Sequence, residues 1–174
     1  MLKFLLAAHL VLAVFAIGPL IHAATTASRG VRRGDGQATA SAARTLKIYA
    51  YASVLVIAAG FALMSQKETV TEFSGHYRPL ADYLRTQQST VTVKLGNEHV
   101  AEFSDVWIWL SLVLWLLAVA IVLGVLVPTL NKVTKRIEAE ESVVTLTARV
   151  AAAGGIVALI FLAIVIIMVY QPGS

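Results

Sequence analysis

The sequence predicts an all-α membrane protein: a four-transmembrane-helix bundle, N-out/C-out, with a small structured outer loop between helices 2 and 3. Hydrophobic residues make up 58% of the 174, against 14% charged, whereas a soluble domain carries roughly 45–50% apolar residues. They fall in long blocks rather than at the spacing of an amphipathic helix or strand, so a bilayer is the solvent they suit. Basic residues also gather in two of the three connections between the blocks. The chain has the length of one domain, residues 1–174.

A hydrocarbon core takes about 20 mostly apolar residues per helix. The blocks at 2–24, 48–64, 106–127 and 150–170 meet or approach that length. The first, with Lys3 ahead of its apolar run and Ala23-Ala24 behind it, also has the outline of a secretory signal peptide. Its run exceeds a signal-peptide core of roughly 7–15 residues. Cleavage after Ala23 would also leave Arg29, Arg32, Arg33, Arg44 and Lys47 on an outward segment. Lys and Arg are retained in the cytoplasm, so the segment is expected to stay as the first span. Lys132, Lys135, Arg136 and Arg149 place the third connection inside as well. The middle one, 65–105, has four basic and six acidic residues and falls outside. Tyr49, Tyr51, Trp107, Trp109 and Tyr170 suit a headgroup belt.

Within the spans, small residues predict where helices approach. Ala58 and Ala62, Ala120 and Gly124, Ala151 and Gly155, and Gly154 and Ala158 are small-xxx-small pairs. The run Ala151–Gly155, with Gly154 and Gly155, is the strongest of these. Gly18-Pro19 predicts a bend in the first span, since proline removes a helix hydrogen bond. Pro128 is expected to close the third. Residues 28–41, rich in Gly, Ala, Ser and Arg, read as a flexible connection. Residues 131–141 read as helix, with Arg136–Glu140 and Lys135–Glu138 at helical pair spacing. Spans 3 and 4 are therefore expected to run on as a helical hairpin. The outer loop is expected to hold a short helix over 78–85 and a hairpin of 90–95 with 98–103, turning at Gly96-Asn97.

Several chemistries are excluded or weakened. Without cysteine there are no disulfides, thiolate metal sites, iron–sulfur clusters or cysteine nucleophiles. The net charge of +4 is divided among loops, so no nucleic-acid surface is expected. No Asp, Glu, Lys or Arg lies deep in a span, against a carboxylate-driven transporter or pump. No nucleophile, phosphate-loop, zinc or paired-carboxylate motif occurs, so no enzymatic activity and no catalytic residue is expected.

His9 is the one ionisable residue well inside a span, about 10 Å of helix rise from the N-terminus. Ser111 should lie at similar depth, so a hydrogen bond from His9 to Ser111 or to a carbonyl is the plain expectation. The sharper alternative is a copper site at the outer face, since imidazole and thioether suit Cu(I). Its candidate ligands are His9, Met64, His76, His99 and Met168. Haem is a remote alternative, because His9 has no histidine partner in the other spans and His22 lies about 20 Å along the helix.

Ala8-His9-Leu10 with Gly18-Pro19, and the stretch 103–111 with Val127-Pro128, resemble a family of small bacterial four-helix integral-membrane proteins of unknown function. That family is distantly similar in layout to the copper-resistance membrane protein CopD. The resemblance covers the spans and not the outer loop, and it implies a multi-pass protein of the bacterial cytoplasmic (inner) membrane. The combined expectation is a non-enzymatic accessory or assembly subunit of a larger membrane complex. Its partners would be lipid and other membrane chains or copies of itself, and it would carry no cofactor. Copper handling is the alternative.

Overall fold

The computed structural model describes residues 2–64, 67–74, 92–99 and 105–170, with side chains for 4–64 and 105–170. Four long helices dominate it: α1 (Leu2–Arg32), α2 (Gly36–Met64), α3 (Val106–Glu138) and α4 (Val144–Tyr170). Each is long and apolar enough to cross a membrane. The principal contacts run α1 to α2, α2 to α3, α3 to α4 and α4 back to α1, so the helices form a closed ring of neighbours. Their outward surface is apolar, with Phe4, Val14, Phe15, Leu159 and Val169 each more than three-fifths exposed. Such a surface suits lipid rather than water.

Both helical turns lie at one end of the bundle. The first is not the flexible connection expected over 28–41: helix continues to Arg32 and resumes at Gly36. Gly34 takes φ +64, which a residue without Cβ adopts freely. There the Asp35 and Gly34 amides donate to the Gly30 and Val31 carbonyls, closing the end of α1. Asp35 then starts α2, its Oδ1 accepting from the Ala38 amide at 2.9 Å. Composition suggested a loose loop; a C-terminal glycine and an N-capping aspartate, one residue apart, make a rigid turn.

The second turn repeats the first closure. The Glu141 and Glu140 amides donate to the Arg136 and Ile137 carbonyls, and Glu140 occupies the left-handed position at φ 58. Because Glu140 has left the helix, it is Glu141 that approaches Arg136, at 3.6 Å. The expected helical hairpin of α3 and α4 forms.

Pro128 does not end α3, as expected, but is absorbed by it. A proline inside a helix offers no N–H and crowds the carbonyl four residues back, here that of Gly124. Residues Val122–Leu126 widen into a π-turn, and the Val127 amide reaches back five residues to the Val122 carbonyl. This re-registering lets the helix pass through the proline to Glu138.

Packing is tightest toward the turn end. Leu20, Ala24, Val31, Leu46, Leu126, Leu130, Val133, Val150 and Val157 are almost completely enclosed. At the same end the Thr39 and Thr134 hydroxyls meet at 2.8 Å across α2 and α3. Gly154 lies directly against the Ala24 backbone, which brings α1 and α4 together. Gly155, Gly124 and Gly18 face open space. At the other end, residues 4–15 of α1 include no fully buried position, and burial begins at Ala16, just before Pro19.

Outside the helices, β1 (Lys67–Ser74) and β2 (Thr92–His99) pair antiparallel, with Glu72 opposite Lys94 and Phe73 opposite Val93. This differs from the expected hairpin. Gly96-Asn97 stays within the ladder, opposite Val70 and Thr69, instead of turning the chain. The segment Lys67–Ser74 supplies a full-length partner, which a six-residue return beyond a two-residue turn does not match. The expected helix over 78–85 lies outside the described residues.

Candidate functional site

At the open end, His9 of α1 lies over Gly60 of α2, and α3 carries a column of polar side chains on one face. On α1, Leu5, Ala8, His9, Leu12 and Ala13 form a half-buried stripe at helical spacing. His9 crosses to α2 and covers Gly60: a Cβ there would stand 3.4 Å from His9 Cε1 and 3.8 Å from Nδ1. Gly60 is seven residues after Ser53 and so shares its face of α2.

On α3, Trp107, Ser111 and Trp115 recur every fourth residue along one face. That face meets α2 where the Trp115 indole Nε1 donates to Ser53 Oγ at 3.0 Å. Ser53, fully enclosed, donates its own proton to the Ala50 carbonyl at 2.7 Å. One level of the interface is thereby satisfied.

The next levels outward are not. Ser111 Oγ, Trp107 Nε1 and His9 Nδ1 are buried atoms with no hydrogen-bond partner among the described residues. Ser111 as a whole is only 4% exposed. Helix rise relates their depths. Ser111 and Trp107 lie about 6 and 12 Å outward from Trp115, and Gly60 about 10 Å outward from Ser53. With the Trp115–Ser53 bond as common origin, Gly60, which carries the His9 ring, lies at a backbone level between Ser111 and Trp107. An unmet buried polar group costs about 1–3 kcal/mol, so these three are expensive unless something beyond the described residues satisfies them.

The expected hydrogen bond from His9 to Ser111 is therefore not made. The depth match holds, but the ring nitrogen rests on Gly60 instead of reaching the hydroxyl. Trp107, expected among the headgroup aromatics, has its indole nitrogen buried.

The proposed copper ligands fare unevenly. His9 and Met64 are near one another in level, since Met64 is one turn beyond Gly60 on α2. Met168, half-buried against the core, belongs to α4, whose main neighbours are α1 and α3. His99 ends β2, and its side chain, like all of His76, lies outside the described residues. Among the described residues no three His, Cys, Asp or Glu side chains gather as a metal site would need. His22 is exposed, and its carbonyl accepts the Thr25 and Thr26 hydroxyls.

Sequence reasoning marked His9 and Ser111 but missed Gly60 and the polar role of Trp107. The available signals were the four-residue recurrence of Trp107, Ser111 and Trp115, and the seven-residue step from Ser53 to Gly60. Compared with protein-family models, curated proteins and solved structures, the chain matches none.

Proposed function

We propose that this chain is a non-enzymatic multi-pass membrane protein of the bacterial cytoplasmic membrane. It acts as an accessory or assembly subunit of a larger membrane complex, with its open end as the working part. One observation carries the reading: the described residues complete the interior at the turn end, and at the other end three buried polar atoms have no partner among them. The charge pattern fits this division. Arg29, Arg32, Arg33, Arg44, Lys47, Lys132, Lys135, Arg136 and Arg149 all belong to the turn end, which therefore stands in cytoplasmic water. There the hydrophobic effect drives close packing, whereas within lipid it does not act between helices.

Extraction in a gentle detergent followed by native mass measurement tests the proposal. An assembly heavier than one 18.6 kDa chain is expected; a strict monomer with no co-purifying chain overturns it. A second reading, copper handling, is favoured by the shared neighbourhood of His9 and Met64. Bound copper after Cu(I) loading, lost in His9→Ala and Met64→Leu, is its expected signature. Equal copper content in wild type and both variants removes it.

A further inference from the structure

We propose that a girdle of basic side chains near the turn end, Arg29, Arg44, Lys47, Lys132 and Arg149, binds the headgroups of anionic phospholipids around the bundle. The inference uses no residue of the open end and stands whether or not the chain assembles with others.

Three close approaches between antiparallel helices fix the levels. Arg149 is five residues before Gly154 and Arg29 five after Ala24, and Gly154 rests on the Ala24 backbone. The two arginines therefore share a level on α4 and α1. Gly30, next to Arg29, packs on Ala38 and Thr39, and Thr39 meets Thr134, two residues beyond Lys132. Lys132 thus lies within about 3 Å of that level on α3. On α2, Arg44 and Lys47 follow about 8 and 12 Å from Thr39 toward the open end. All five are exposed, and each of the four helices contributes at least one.

Counted by helix rise from Met64, the end of α2, a hydrocarbon core about 30 Å thick ends at Arg44. The level of Arg29, Lys132 and Arg149 is about 6 Å beyond it, inside a headgroup layer about 5–8 Å deep. Lys47, about 5 Å inside the core edge, reaches the same layer with its flexible stem. The acids stand further out. Asp35 and Glu138 lie about 13 Å past Arg44, and Glu140 and Glu141 follow in the second turn. The ion pair of Arg136 with Glu141 belongs to that tip. The girdle therefore presents cations at phosphate depth with no acid in their own layer, and arginine matches phosphate oxygens with two parallel N–H donors. An acidic partner chain would cover one side of the bundle. Cations on all four helices match a surrounding shell of lipid.

The full chain is reconstituted in phosphatidylcholine vesicles carrying a trace of spin-labelled phosphatidylglycerol or, in a parallel sample, spin-labelled phosphatidylcholine. Electron paramagnetic resonance then reads the fraction of each label held motionally restricted at the protein surface. One basic side chain at an anionic surface gives about a fivefold preference. Averaged over the two rims of the bundle, association should favour phosphatidylglycerol by about threefold. Arg29→Gln/Arg149→Gln removes most of that preference. Arg32→Gln/Arg33→Gln, which subtracts the same charge from the tip, leaves most of it in place. Arg29→Lys/Arg149→Lys retains it, and equal helical circular dichroism checks that the variants fold alike. A ratio near one in the wild type overturns the proposal and leaves the girdle to an acidic segment of another chain. Equal losses in the two glutamine variants also overturn it, because overall charge then suffices. The native-mass test of the subunit role reads a different quantity, so the two proposals fail separately.

Discussion

Adjacent glycines in α4 offer the sharpest test of how the bundle is held together. A Cβ added at Gly154 would collide with the Ala24 carbonyl oxygen, stand 2.9 Å from its carbon and lie 3.6 Å from the Thr25 amide nitrogen. Non-bonded carbons are comfortable at about 3.5–4.0 Å. The obstructing atoms belong to the α1 backbone, so no side-chain rotation relieves the clash. The α1–α4 seam must open by roughly 1 Å, although Ala24 is completely enclosed there. Overfilling a packed interior costs about 1–3 kcal/mol. Alanine returns up to about 1 kcal/mol through its better helix propensity. With that return in full, Gly154→Ala should destabilise the protein by up to about 2 kcal/mol. At Gly155 nothing lies within 4 Å of the added Cβ. Gly155→Ala meets no clash and should stabilise by up to about 1 kcal/mol. The helix-propensity gain is common to both, so the two neighbours differ by the clash alone, about 1–3 kcal/mol for the same chemical change. Titration of the micelle-bound protein with SDS, followed by circular dichroism, reads the difference as opposite shifts in midpoint. Equal midpoints, or a Gly154→Ala protein more stable than wild type, would refute the reasoning.

The same titration checks three further substitutions. Glu140→Gly should stabilise by about 1 kcal/mol, because the left-handed position costs a residue with a Cβ roughly that much; Glu140→Ala should show no comparable gain. Asp35→Ala removes the cap on the Ala38 amide and should cost about 1 kcal/mol. Ser53→Ala strips the Trp115 indole of its acceptor at an enclosed position and should cost about 1–3 kcal/mol. A change in tryptophan emission should accompany it.

Much of this molecule was legible in the sequence. Four apolar blocks announce four helices, because helix is the form that satisfies every backbone group within one segment in lipid. The starts of α1 and α3 and the ends of α2 and α4 come close to the block edges, and the extended hairpin of α3 and α4 follows from the pattern of charges. The errors occurred where a local signal was read alone. Pro128 normally ends a helix, yet a π-turn just before it relocates the carbonyl contacts. Gly96-Asn97 normally turns a hairpin, yet Lys67–Ser74 holds both residues in register. Residues 28–41 have a loop's composition, yet Gly34 and Asp35 close two helices within three residues.

Composition and spacing by themselves determined the class, the number of helices and the ionisable residue to examine first, since these depend on transfer from water and on helical period alone. Tertiary structure decided which glycine is a contact and which is open. It also decided that His9 rests on Gly60 instead of bonding Ser111, and that the Trp107 indole nitrogen is buried. Depth along a helix can be counted from sequence. The rotation of each helix about its axis cannot, because it is set by the joint packing of all four, and that rotation buries His9 Nδ1, Trp107 Nε1 and Ser111 Oγ without a partner among the described residues.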